Sequence, residues 1–207
     1  MSFISKYGLE YVLYSFVAFV VLYIFDFDFL ATVAFFVLAA LVFFFRNPER
    51  ELNNFDDTSV LAPCDGVVQA IDEIKSEDGY TYEIKIESSF LDVSVLRMPI
   101  TAKVESLHVI RGTRVASTSS LYKKLNESLE IVLDDEKGNK LKMLHRLQKG
   151  AFTIFCDQVE GERLHKSIRY GYANNCITTL YLKSNVRINI KVGQRVYASQ
   201  TLIAYFS

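Results

Sequence analysis

The sequence predicts a mainly β domain, a β-sandwich or barrel-sandwich-like fold, carried behind an N-terminal transmembrane helical hairpin. Three observations carry this. Two long apolar runs occupy the first 45 residues and nothing like them recurs. Beyond them, short segments alternate apolar and polar residues with the period of two that marks strands. Gly-centred turn signals separate those segments and echo one another.

Tyr11 to Phe25 is apolar apart from Ser15, and Phe29 to Phe45 is apolar apart from Thr32, with Asp26-Phe27-Asp28 between them. One helix across both runs would measure roughly 50 Å at about 1.5 Å per residue, against a hydrocarbon core of about 30 Å. It would also leave two carboxylates in the middle of the bilayer, which is costly. A hairpin instead sets Asp26 and Asp28 at one membrane face and returns Lys6, Arg46 and Arg50 to the other, which the positive-inside rule makes cytoplasmic. A cleavable signal peptide is the rival reading. It fits less well, because apolar sequence resumes directly after the acids and ends in a basic stop. The expected organisation is an anchoring hairpin over 1–46, a polar linker over 47–59 that opens with the helix-stopping Pro48, and a β domain over 60–207 facing the cytoplasm.

Within that domain Val60–Pro63 leads through the Cys64-Asp65-Gly66 turn into Val67–Ile71. Tyr80–Ile86 alternates cleanly, and Leu129–Leu133 and Lys140–Leu144 flank a polar turn as a hairpin. Ala151–Cys156 and Arg187–Val192 are further strands, and Ser119–Glu127 is the one soluble helix expected. Val109–Ser117 parallels Lys191–Ser199, with Val159–Leu164 as a looser third copy. Such strand-turn-strand units recur in barrel-sandwich domains that carry biotin or lipoate. No modifiable lysine sits at a turn here, which argues against a carrier.

Composition narrows the partners. All of the 23 Lys+Arg but Lys6, and all of the 24 Asp+Glu but Glu10, Asp26 and Asp28, lie from Arg46 onward, so the β domain is nearly neutral. That excludes the basic excess of a nucleic-acid binder. Cys64, Cys156 and Cys176 show neither CxxC nor metal-finger spacing, so a reducing compartment and no metal site are expected.

Six runs stand in order along the chain: Phe44–Arg50 after the anchor, Leu61–Val68 with its Pro-Cys-Asp-Gly, Leu91–Ile100, Asn126-Glu127, Gly161–Leu182 around Ile168-Arg169-Tyr170-Gly171, and Val192–Ala204. Together they resemble the phosphatidylserine decarboxylase family. The resemblance implies a chain that cuts itself at a Gly-Ser bond, using an Asp-His-Ser arrangement, and so makes a covalent pyruvoyl cofactor. The pyruvoyl ketone then serves as electron sink for decarboxylation of a membrane phospholipid. Carried over position by position, the aspartate is Asp65 and the base histidine is replaced by Ser94. Arg97 is retained as a candidate for a phosphate or carboxylate, and Arg169 joins it as a substrate-binding candidate. His108, His145 and His165 are out of register with the lost base.

The scissile serine has two registers. Counting from Gly161-Glu162-Arg163 places Tyr172 there; counting back from Leu180-Tyr181-Leu182 places Cys176 there, after Asn175. A phenol cannot leave by β-elimination, whereas a thiol can in principle. The expectation is a phospholipid-metabolism protein of this family that has lost self-maturation and carries no cofactor. The alternatives are a divergent decarboxylase, carrying pyruvoyl, cut at Asn175-Cys176, and a non-catalytic phospholipid-binding or scaffold subunit. Self-association and pairing with an active relative both stay open as partners.

Overall fold

A computed structural model describes residues 3–50, 55–76, 78–135, 137–150 and 152–207. Positions 51–54 of the expected linker, Glu136 in the hairpin turn and Ala151 at the start of an expected strand lie outside them. The chain divides into two compact units, Met1–Glu49 and Arg50–Ser207.

In the first unit a short 3-10 turn (Lys6–Gly8) runs into α1 (Leu9–Ile24), which packs on α2 (Asp28–Phe44). Asp26 takes a positive φ of 57° in the turn, a conformation that Asp tolerates better than most side chains. The hairpin is closed at its open end by backbone bonds from Ser5 N–H to Phe45 O (2.8 Å) and from Asn47 N–H to Phe3 O (2.7 Å). Most of its Phe, Leu and Val side chains point outward and are exposed within the unit.

The second unit is the expected mainly β domain, with three antiparallel sheets around one core. Its strands are β1 (Ser59–Leu61), β2 (Gly66–Glu73), β3 (Tyr82–Glu87), β4 (Val95–Arg97), β5 (Ala102–Ile110), β6 (Ser128–Asp134), β7 (Lys140–Leu147), β8 (Phe155–Cys156), β9 (Arg163–Leu164), β10 (Arg169–Tyr172), β11 (Cys176–Leu182), β12 (Val186–Ile188), β13 (Arg195–Val196) and β14 (Leu202–Phe206). The large sheet runs β13-β2-β3-β11-β7-β6-β5-β9, and the small ones β1-β14-β12 and β4-β10-β8.

That order reads as a duplication. The contiguous run β4 to β10 has the same plan as β1 to β3 joined to β11 to β14, and it is inserted between β3 and β11. Registers repeat down to their irregularities. Ser59, Val60 and Leu61 face Tyr205, Ala204 and Leu202; Val95, Leu96 and Arg97 face Tyr172, Gly171 and Arg169, with a bulge at the same step. A second bulge follows Val68 on β2 and Val104 on β5. Leu180 and Met143, central in β11 and β7, face each other on the pseudo-twofold axis. Near that axis the two halves exchange equivalent bonds, Leu61 N–H to Pro99 O (3.0 Å) and Arg97 N–H to Pro63 O (2.8 Å).

The looser of the sequence echoes proves to be the structural one. Gly161 and Gly193 both turn at positive φ (86° and 82°), donate to Val104 O and Val68 O, and feed β9 and β13. Gly112 in the closer-looking copy is not a turn glycine. A Cβ there would lie 2.2 Å from Leu125 O, because this backbone approaches residues 125–127 closely. The helix expected over Ser119–Glu127 shortens to α3 (Tyr122–Leu125), since the Asn126 side chain binds the backbone of Val115 and Leu147 and draws the chain into β6. The strand expected over Arg187–Val192 ends at Ile188, and that expected over Ala151–Cys156 keeps only Phe155–Cys156.

Both turn glycines have open space around a built Cβ, so alanine there adds backbone strain and no clash. Gly161→Ala and Gly193→Ala are each expected to cost about 1–2 kcal/mol. The two losses should agree within roughly 0.5 kcal/mol in urea unfolding of the detergent-solubilised chain, whereas a Gly112→Ala variant should lose more.

Candidate functional site

The duplication supplies an internal control, because a role demanded by the fold appears in both halves and a role confined to one half is not demanded by it. Asp65 follows β1. Its carboxylate takes Arg50 at 2.6 Å and accepts the Ala198 N–H at 2.9 Å. The equivalent residue is Thr101, whose hydroxyl accepts the Lys166 N–H at 3.1 Å. In each half this bond holds a tight turn ending at a positive-φ serine, Ser199 (64°) or Ser167 (70°). Asp65 is thus positioned as a turn clamp, and both of its oxygens are engaged.

Ser94 is equivalent to Thr58. Their carbonyls accept the N–H groups of Ala173 and Phe206, both at 2.9 Å. The Ser94 hydroxyl accepts a bond from Asn174 Nδ2 at 2.8 Å, so the residue does lie against the loop between β10 and β11, midway between the two candidate registers.

Tyr172 closes β10, fully buried, with its ring edge-on to Phe152 and Phe155. Cys176 opens β11, also fully buried. Its Sγ lies 3.9 Å from Ala173 O and 3.7 Å from Thr178 Oγ1, and burial pushes the thiol up to about 11. Asn175 before it holds a φ of 50°, and its carbonyl accepts the Gln148 N–H at 2.9 Å. Ser88 ties the two strands of this region together, its N–H donating to Cys176 O and its hydroxyl to Asp65 O.

Sequence register hid a buried polar chain. Tyr170 Oη sits 2.6 Å from His145 Nε2, and His145 Nδ1 sits 2.8 Å from Thr178 Oγ1, which leads on to Cys176. His145, Tyr170 and Thr178 are each fully buried. Their equivalents across the axis are Leu182, Ile203 and Leu141, all in the hydrophobic core. The fold is therefore content with aliphatic side chains at all three equivalent positions, where the chain keeps an imidazole and a phenol in the inserted half and a hydroxyl on β11 of the enclosing one. One signal was available: in the Leu141, Met143, His145, Leu147 alternation the histidine takes an inward position. His108 and His165 are exposed.

Arg97 and Arg169 face one another across β4 and β10, where the other half has Leu61 and Leu202. Here one half alone carries polar groups.

Burial pulls the His145 imidazole down to about 3. Its folded-state value lies below the unfolded one of roughly 6.5, so unfolding takes up a proton in the interval between them. The stabilisation is complete above about pH 6.5 and falls by about 1.4 kcal/mol per unit as pH drops toward 3. His145→Leu, the residue of the other half, strands two hydroxyls and should cost about 1–3 kcal/mol at pH 7.5. It should also remove the acid slope, so that denaturation curves of the two proteins converge between pH 6.5 and 4.5.

Comparison with known proteins agrees with this architecture. The family model described as Phosphatidylserine decarboxylase matches residues 37–204. Among curated proteins, a phosphatidylserine decarboxylase proenzyme of Geobacter metallireducens is 30% identical over 166 residues, covering 79% of this chain and 76% of its own. The proenzyme from Wolbachia of Brugia malayi is 28% identical over 97% of this chain and 90% of its own, and that of Rickettsia akari 27% identical over 86% and 79%. No solved structure matches. With the match running from the second apolar helix into the last strand, the chain belongs to the phosphatidylserine decarboxylase family.

Proposed function

We propose that the chain is a membrane-anchored, phospholipid-binding member of this family that does not cut itself and carries no pyruvoyl group. One observation carries the proposal. Cys176 offers the one sulfur or oxygen on a Cβ in either register that could leave by β-elimination, and it is fully buried where thiol and neighbouring imidazole are both held neutral. Burial raises the thiol and lowers the imidazole, so the proton stays on sulfur and no nucleophile forms. Ser94 stands where the base would be, and Asp65 is spent on a turn that Thr101 clamps equally well in the other half. The residues present therefore do not fit the cofactor.

What the chain keeps is the means to meet lipid. Lys6–Ile24 is a 19-residue run long and apolar enough to cross a membrane, and α2 returns beside it with its apolar side chains outward. Outward apolar faces on both helices suit insertion of the hairpin, with Lys6, Arg46 and Arg50 marking the cytoplasmic side and the β domain following them. The Arg97–Arg169 pair, where the fold accepts leucines, suits the oxyanions of a phospholipid headgroup. Its partners are then membrane phospholipid and either a second copy or an active relative.

A second reading, cleavage at Asn175-Cys176, is favoured by the left-handed Asn175 and by the Gln148 N–H on its carbonyl, which would stabilise an oxyanion. Intact mass spectrometry separates the two. The expected result is one species at the calculated 23.7 kDa. A long N-terminal fragment with a blocked C-terminal one would overturn the proposal. In parallel, Arg97→Leu/Arg169→Leu is expected to lower co-purifying anionic phospholipid several-fold, measured as lipid phosphate per chain.

A further inference from the structure

The same internal control, applied to the outer face of the large sheet, points to a site that the family reading does not use. Two related grooves of about 400 Å³ each lie on that face. One crosses β3, β11 and β7, and the other crosses β6 and β7 from the opposite side of the pseudo-twofold axis. Their floors correspond residue by residue: Glu83 with Glu130, Lys85 with Val132, Thr179 with Lys142. Their contents do not.

The second groove holds Asp78, Glu105 and Glu130 against Lys140 and Lys142. Both lysines are paired, Lys140 with Glu105 (2.5 Å) and Lys142 with Glu130 (3.0 Å). It has no cation to spare. The first groove holds Lys85, Lys123 and Arg146 against Glu83 alone. Lys85 is held by Glu83 and Asp72. Arg146 has no carboxylate within ion-pair distance among the described residues, and its Nε is buried without a hydrogen-bond partner. The equivalent of Arg146 is Lys183, one residue beyond β11.

The first groove is also roofed. The connection from β5 to β6 is much longer than that from β2 to β3 and folds back over it. Asn126 staples this roof through Val115 and Leu147, while Glu127 holds Arg111 and Arg114. The roof lowers Tyr122 onto Arg146. The guanidinium sits 5.7 Å from the ring centroid, and the phenol donates to Arg146 O at 3.1 Å. Thr179, on an outward position of β11, is buried as a result. An extra segment has thus been built over an unpaired arginine.

We propose that this roofed groove binds a phosphate monoester. With Lys85 taken up by Glu83 and Asp72, Lys123 and Arg146 are left as two cations without a carboxylate among the described residues, which a dianion can bridge. A guanidinium offers paired donors to phosphate oxygens. The volume exceeds that of a phosphate group, so the organic part of the ester lies along Leu144, Ile177 and Tyr181. The source is either a soluble ester or a monoester lipid headgroup, since both present the same terminal phosphate.

The test uses the full chain in maltoside detergent and phosphate-free buffer, titrated calorimetrically with glycerol 3-phosphate. A second arm uses anionic vesicles with and without phosphatidic acid. Saturable binding in either arm is expected, and the arm that binds names the source. Arg146→Met should weaken it at least tenfold, while Lys183→Met, the equivalent position in the other half, should leave it unchanged; thermal unfolding confirms that each variant is folded. The proposal is overturned by the absence of saturable binding in both arms, or by equal weakening in the two variants. Neither outcome depends on whether the chain is cut or on Arg97 and Arg169, so this inference and the proposed function fail separately.

Discussion

The β domain depends on one constraint, the pairing of β7 with β11 across the pseudo-twofold axis. Seven consecutive residue pairs, Cys176 with Leu147 through Leu182 with Leu141, join the two halves into one eight-stranded sheet. Without that ladder each half would expose a strand edge, and the small sheets would lose the shared core that Leu96, Tyr170, Val60 and Ala204 build from either side. The ladder also explains why polar groups can gather across the axis: the equivalent positions supply enough aliphatic packing to hold the shape, and His145, Tyr170 and Thr178, drawn from both halves, are tolerated because they satisfy one another.

Much of the fold was legible in the sequence. Period-two runs located β2, β3, β6 and β7, and the acidic break at Asp26-Phe27-Asp28 located the hairpin turn. The duplication was not legible as such. Its halves are nested, so the repeat is interrupted by the very segment it repeats, and little common wording survives beyond the Gly161 and Gly193 turns with the serines that follow them and the Pro63 and Pro99 pair. The eye favoured the Val109–Ser117 copy because it shares more letters with Lys191–Ser199. Geometry favours Val159–Leu164, because what is repeated is a positive-φ glycine bonded to a bulged valine.

Register arguments named Ser94 at the base position and Tyr172 or Cys176 at the scissile one, without saying what Ser94 would touch; in the fold it contacts Ala173 and Asn174. They could not reveal that Asp65 clamps a turn, because Pro-x-Asp-Gly has the same spelling whether its carboxylate serves a base or a backbone N–H. Nor could they find His145, which meets the site through Thr178 on the adjacent strand, 33 positions away in the chain. Spatial neighbours across a ladder leave no mark in a single sequence.

The loop between Tyr172 and Cys176 is the seam of the nested arrangement, where the inserted half ends and the enclosing half resumes. A peptide bond opened at that seam interrupts no strand. The tail from β11 onward would stay hydrogen-bonded between β3 and β7, and the domain would outlive the nick as a two-chain body. Scission tolerance at this point is therefore built into the topology, whether or not any given sequence has the chemistry to exploit it.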